Sequence, residues 1–188
     1  MSVILLLLRL PILIVHILVG LFTILFFPKE SKNFKNSHYR IMMLWMNILS
    51  SILGIKVDIR GIPDQSANLF VSNHVTYLDI IIINKLLPVN FIAKEEISSW
   101  PVIGRLASKT GTLFIKRGDN VESSKMIYEM EERFKLQNKI VFFPEGKIGN
   151  GKRVRKFHYK LFKSIENKEL YIQPIAIRYP TGYPINNN

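Results

Sequence analysis

Residues 3–27, VILLLLRLPILIVHILVGLFTILFF, form an apolar run broken by one formal charge, Arg9. A stretch this long must be covered by protein or by lipid, because its exposure to water is costly. Its uninterrupted part, Leu10 to Phe27, has 18 residues. As a helix at ~1.5 Å per residue, that nearly crosses a bilayer core of ~30 Å, and Val3–Leu8 supply the missing length. A cleaved signal needs a basic start, a shorter apolar core and a small-residue cleavage site. Here the chain begins MSVILL and the run ends in FFPKES. The expectation is a retained anchor. Pro11 either kinks this helix or starts it, leaving residues 1–10 to fold separately. Lys29, Lys32, Lys35 and Arg40 follow closely. The positive-inside tendency then holds this flank, and the domain after it, on the cytoplasmic face.

The next apolar stretch, Ile41–Ile55, is short for a span and contains Asn47, Ser50 and Ser51. Three readings stay open: a helix lying in the membrane interface, one packed on the domain that follows, or an ordinary core helix. Residues 1–56 are thus expected to be a membrane anchor with an interfacial helix, and residues 57–188 a separate domain. Composition narrows the partners. The chain has 188 residues, 26 Lys+Arg against 14 Asp+Glu, a net charge of +12 and 48 % apolar residues. Mean hydropathy is +0.15, which argues against disorder. A simple nucleic-acid binder would be less apolar, so no nucleic-acid partner is expected, and a membrane-bound protein with a basic face is. With no cysteine, a disulfide scaffold, a Cys-ligated zinc site, an iron–sulfur cluster and a thiol nucleophile are excluded.

From Lys56 onward, short β-rich runs alternate with helical patterns, which predicts one α/β domain. Strands are expected at Lys56–Arg60, Asn68–Ser72, Val89–Ala93, Gly111–Ile115, Lys139–Phe143 and Leu170–Arg178. Helices are expected at Leu78–Leu87, Pro101–Ser108, Val121–Gln137 and Tyr159–Glu166. Met126, Met130 and Phe134 mark the apolar face of the third helix, and Asp119 with Glu122 can form its capping box. The terminal Asn186, Asn187 and Asn188 read as a frayed end.

Four constellations carry chemistry. The first is Ser72-Asn73-His74-Val75-Thr76-Tyr77-Leu78-Asp79. A buried strand runs into His74, and a turn into helix lets the Asp79 carboxylate fold back on the imidazole. One ring nitrogen then donates to Asp79 and the other is a free base. With no cysteine, and no separate reason to make Ser72 a nucleophile, such a dyad would activate a hydroxyl brought by the substrate. Taken alone, the spacing also fits a His that caps a helix beside a solvated Asp. In the second, a strand delivers Lys116 and Arg117 to a turn at Gly118. The Arg fork suits phosphate or carboxylate, and a solvated strand end is the plainer reading. The third is Phe142-Phe143-Pro144-Glu145-Gly146-Lys147, which places Glu145 at the C-terminal edge of a strand, where α/β proteins build sites. The fourth is the basic stretch 151–160; residues 145–169 hold eight Lys/Arg and three Asp/Glu. Anionic headgroups, an acidic carrier protein or nucleic acid would all be attracted, though Phe157 and Tyr159 offer little of the stacking that nucleic acid needs. His158 has no carboxylate near it in sequence and reads as structural.

These blocks, in this order, resemble the glycerophospholipid acyltransferase family of the 1-acyl-glycerol-3-phosphate acyltransferase type. The matching segments are His74-x4-Asp79, GTLFIKR at 111–117, FPEG at 143–146 and YIQPIAI at 171–177, with Ala93-Lys94-Glu95 and Trp100–Gly104 between the first two. The resemblance implies a single mixed-sheet acyltransferase domain behind one or more N-terminal membrane helices. It implies transfer of a fatty acyl group from acyl-CoA or acyl carrier protein to a lysophospholipid hydroxyl, most simply 1-acyl-glycerol-3-phosphate, giving phosphatidate. His74 becomes the general base and Asp79 its orienting partner. Asn73, Lys116, Arg117, Glu145, Gly146 and Lys147 fall to acceptor binding, and Pro174 to support of the acyl site. No metal or other cofactor is required, because the thioester is already activated. Two departures stand out. Lys147 replaces the family's usual Thr, and the chain stops soon after the fourth block, which predicts a C-terminally shortened domain. The segments around the third and fourth blocks are also similar to the lyso-ornithine lipid acyltransferase branch. A lipid-binding relative without catalysis and a purely electrostatic membrane-surface protein are the remaining alternatives; the latter predicts binding that falls steeply with salt.

Overall fold

The computed structural model describes residues 3–28, 34–116, 120–149, 151, 153–166 and 168–180. The expected Asp119 cap, the Gly118 turn, the Lys29 and Lys32 flank, and the end at Asn186, Asn187 and Asn188 lie outside these residues, as does Arg117.

The apolar run forms α1 (Val3–Thr23), with Pro11 inside it, and continues as a 3-10 turn at Ile24–Phe26. Residues Leu7–Phe26 are long and apolar enough to cross a membrane. The next described element is α2 (Asn36–Ile52). It lies against α3 (Leu78–Leu86), while Ile41, Leu44 and Ile48 stay exposed. The Tyr39 hydroxyl at one end meets Asn90 and Asn138. At the other end, Lys85 Nζ donates to Ser50 Oγ at 3.0 Å.

The domain alternates β1 (Ala67–Ser72), α3, β2 (Val89–Lys94), α4 (Ile103–Lys109), β3 (Leu113–Ile115), α5 (Asn120–Lys135), β4 (Lys139–Phe142) and β5 (Tyr171–Ile175). The strands form one sheet in the order β3-β2-β4-β1-β5. A mixed sheet was expected; every described pairing is parallel. Parallel neighbours need crossovers rather than tight hairpins, and α3, α4 and α5 supply them. The central strands are covered on both faces, which is why they read as continuous apolar runs. One face buries Leu69, Ile140 and Phe142 against Met126, Met130 and Phe134 of α5. The other buries Phe70, Val89, Phe91 and Val141 with Ile83 of α3 and Leu87 just beyond its end.

Three expected elements differ. Lys56–Arg60 is irregular rather than a strand. Its alternation is real, but both edges of β1 are already taken by β4 and β5, and Asp58 pairs with exposed Arg60. The segment 159–165 is a 3-10 helix. The last strand ends at Ile175 instead of Arg178, for a reason that lies in the site.

Candidate active site

The connection leaving β1 runs toward β2, and the one leaving β4 runs the other way, toward β5. These two adjacent strands therefore open a crevice at their C-terminal ends, where open α/β sheets place ligands. His74 follows β1 by two residues and Glu145 follows β4 by three.

Asp79 folds back as the spacing predicts. His74 Nδ1 lies 2.8 Å from Asp79 Oδ2. An imidazole nitrogen this close to a carboxylate oxygen carries the proton and donates it, which leaves Nε2 as the acceptor. The same Oδ2 accepts the backbone N–H groups of Val75 at 2.6 Å and Thr76 at 3.0 Å. Asp79 sits in the first turn of α3, with its side chain fully buried, while His74 retains 13 % exposure. A buried carboxylate is tolerable only when hydrogen-bonded in this way. The His74 ring stacks on Phe143, centroids 3.9 Å apart and planes at 11°. The hydrogen bond and the stack together fix both the direction and the plane of the imidazole.

Asn73 holds the backbone around the dyad. Its Nδ2 donates to Ile177 O at 2.9 Å, and its Oδ1 accepts Ile177 N–H at 2.8 Å. This side chain mimics a ladder step beyond the end of β1, so backbone pairing stops at Ile175 and the chain continues under side-chain control. Glu145 is buried, and its Oε2 accepts the Arg155 N–H at 3.0 Å, which ties the basic stretch to the sheet edge. Gly149 donates its N–H to His74 O at 2.7 Å. A Cβ on Gly149 would sit 3.4 Å from that oxygen and 3.5 Å from Glu145 Oε2, in ordinary contact with both.

A cavity of about 90 Å³ lies between these groups, lined by Asn73, His74, Val75 and Glu145 on the sheet side and by Gly149, Gly151, Arg153 and Val154 on the loop side. The structure thus brings together Asn73, His74, Asp79 and Glu145. Gly146, at φ +70°, makes the turn after Glu145 and donates its N–H to Phe143 O. Lys147 is exposed and does not line the cavity. Neither does Lys116, which is exposed just past β3, an edge strand three positions from β1. At ~4.8 Å per strand that is roughly 14 Å away. Pro174 pairs with Val71 in the edge strand β5, where a missing N–H is harmless, and it lies outside the cavity lining. Sequence reasoning assigned no role to Phe143, Gly149, Arg153 or Tyr179. Phe143 and Arg153 stood inside segments already singled out; their contacts depend on chain reversals that spacing does not encode.

Fold and site together define a class: an α/β domain with a His–Asp dyad at the switch point of a parallel sheet and an arginine on the rim. The chain belongs to the Acyltransferase family, whose profile matches residues 55–178. It is 35 % identical over 140 residues to a lyso-ornithine lipid O-acyltransferase of Pseudomonas aeruginosa, covering 74 % of this chain and 54 % of that one. It is 30 % identical over 147 residues to a 1-acyl-sn-glycerol-3-phosphate acyltransferase of Neisseria gonorrhoeae, covering 77 % and 57 %. The chain therefore spans about half the length of the curated relatives it matches. The fold is similar to the crystal structure of the 1-acyl-sn-glycerophosphate acyltransferase PlsC from Thermotoga maritima. The TM-score is 0.57 at 19 % identity, over 71 % of this chain and 55 % of that one.

Proposed function

We propose that this protein transfers a fatty acyl group from an acyl thioester, carried by CoA or acyl carrier protein, to the free hydroxyl of an anionic lysolipid. The observation that carries the reading is the 2.8 Å contact between His74 Nδ1 and Asp79 Oδ2 on the wall of a cavity. Nε2 takes the proton of the acceptor hydroxyl as its oxygen attacks the thioester carbonyl. The C–S bond then breaks, the new ester keeps the acyl group, and the imidazolium returns its proton to the departing thiolate. Asp79 stays hydrogen-bonded to Nδ1–H throughout and holds the tautomer. The protein supplies no covalent intermediate and needs no cofactor, since the thioester arrives activated. Arg153 on the cavity rim faces the acceptor's anionic group, with Lys116 further along the edge for a headgroup that extends that way. α1 and the basic residues after it keep the domain on the membrane, on its cytoplasmic side.

Two acceptors fit this chemistry: 1-acyl-glycerol-3-phosphate and lyso-ornithine lipid. Relatives of the two kinds overlap in identity, 28 to 36 % for lyso-ornithine lipid O-acyltransferases and 29 to 30 % for 1-acyl-sn-glycerol-3-phosphate acyltransferases, so both acceptors belong in the test. The test is acyl transfer by the detergent-solubilised protein, with both thioester types offered against both acceptors. Turnover is expected, and His74→Ala should lower it at least about 10³-fold while the fold persists. An undiminished rate in His74→Ala overturns the dyad mechanism.

A further inference from the structure

Asp79 has a fourth hydrogen-bond donor, one hundred residues away in sequence. The Tyr179 hydroxyl donates to Asp79 Oδ1 at 2.6 Å. His74, Val75 and Thr76 all address the other oxygen, Oδ2. Oδ1 therefore depends on Tyr179, because Asp79 is 0 % exposed and no solvent reaches it. The phenol also lies 3.5 Å from Thr76 Oγ1, which itself accepts the Leu78 N–H at 2.8 Å as α3 begins. Tyr179 arrives on the segment just beyond β5, and the paired bonds between Asn73 and Ile177 hold that segment two residues upstream.

We propose that Tyr179 is a positioning residue for the dyad: it anchors Asp79 Oδ1, so that Oδ2 faces His74 Nδ1 with its charge partly shared. This deepens the acyl-transfer reading and rests on it. A carboxylate has about four acceptor sites, and here each oxygen is engaged from a different part of the chain. Three donors on Oδ2 define one end of the group, but rotation about Cβ–Cγ is stopped only by a donor on the other oxygen. That donor also controls how strongly the carboxylate pulls on the imidazole proton. Hydrogen bonds to the charged form stabilise it, so removing one concentrates negative charge facing His74 and raises the imidazole's proton affinity. Among the described residues, the other ionisable side chains lining the cavity are Glu145 and Arg153, and both are unchanged by a substitution at position 179.

The variant is Tyr179→Phe, which keeps the ring and deletes the hydroxyl. The expected result is a kcat about 10-fold lower with KM for thioester and acceptor unchanged. The acidic limb of the kcat/KM profile should move to higher pH, because His74 holds its proton longer. A merely structural tyrosine would lower the melting temperature and leave that limb in place. A change in KM alone would make Tyr179 a substrate contact. Wild-type kcat with a wild-type pH profile would remove the proposal outright.

A readout independent of turnover separates this idea from the proposed function. The chain has four histidines, and ¹⁵N spectra of the detergent-solubilised protein, with His74 assigned from His74→Ala, follow its tautomer and titration directly. Tyr179→Phe should raise the His74 titration midpoint and broaden or lose the Nδ1–H signal even if no acceptor is ever acylated. An unmoved midpoint and an unchanged Nδ1–H signal overturn the inference. Should the phenyl variant fail to fold, 3-fluorotyrosine placed at 179 keeps the packing and strengthens the donor. The midpoint should then fall, and an unmoved one again overturns the proposal. If His74→Ala retains full acyl transfer, the reading beneath this one fails first.

Discussion

The imidazole of His74 is constrained in two independent ways, and each can be removed separately. Asp79 sets where Nδ1 points, and Phe143 sets the plane of the ring by stacking at 3.9 Å. Phe143 is itself backed by Phe91, with centroids 6.1 Å apart, so the plate is part of the core rather than a loose side chain. A base must lie within hydrogen-bond reach of the proton it takes, and sub-ångström displacement is costly. Phe143→Leu keeps an apolar group beneath the ring but loses its flat face. Acyl transfer should fall about 10-fold through kcat, with a stability cost of about 1 kcal/mol from the changed packing. Steady-state kinetics beside thermal unfolding would check this. A full rate in Phe143→Leu would show that the hydrogen bond alone orients the base.

At the scale of elements, the join between α1 and α2 is a close contact made possible by one glycine. His16 stacks on Trp45 at 4.5 Å, its Nε2 lies 3.1 Å from Trp45 O, and the Trp45 indole N–H donates to His16 O at 3.2 Å. One helical turn on, a Cβ at Gly20 would lie 2.7 Å from Trp45 Nε1. Gly20→Leu should therefore pry α1 off α2, at about 1–3 kcal/mol of overpacking, and leave the distant sheet intact. In a Trp100→Phe background, Trp45 emission in detergent should shift to longer wavelength. Unaltered emission would show that the helices are held elsewhere. Legibility in the sequence also divides by element. β1, β2 and β4 were readable because strands buried on both faces are apolar runs bounded by turns, and α5 because Met126, Met130 and Phe134 share one face. Lys56–Arg60 misled because an alternating pattern states only that a segment can pair, and β1, the strand that follows it, already has β4 and β5 at its two edges. The His74–Asp79 contact was readable because a strand-to-helix turn closes it within five residues. Tyr179, Ile177 and Arg155 reach the same site through reversals of the whole chain, and no periodicity records them.

The whole molecule has two polar ends. The dyad lies at the C-terminal edge of the sheet, whereas α2 is fastened at the opposite edge by a buried network. There the Tyr39 hydroxyl lies 2.9 Å from Asn90 Oδ1, at the start of β2, and 3.1 Å from Asn138 Oδ1, just before β4. Asn90 Nδ2 continues the network to Thr110 O at 3.0 Å. Burial pushes the Tyr39 hydroxyl up to about 12, against the opposing influence of the Arg133 charge and the Asn90 hydrogen bond. The raised value means that the folded state holds this proton more tightly than the unfolded chain does. Its contribution is therefore fully present below pH ~10, the value of a free tyrosine, and is lost as pH rises through about 12. Two pH units correspond to at most about 2.7 kcal/mol. The chain has seven tyrosines and many lysines, so the test is a difference between two proteins. Tyr39→Phe strands two buried amide oxygens, and at pH 8 it should be less stable by about 1–3 kcal/mol. Between pH 10 and 12 the wild type loses what the variant never had, so the two unfolding free energies should converge. Denaturant unfolding followed by circular dichroism at pH 8, 10 and 11.5 measures that gap. A gap that stays constant across the series would mean that the hydroxyl stays protonated in both states or titrates alike in both. The tie between α2 and the sheet would then rest on the apolar contacts of α2 with α3 instead of on this network.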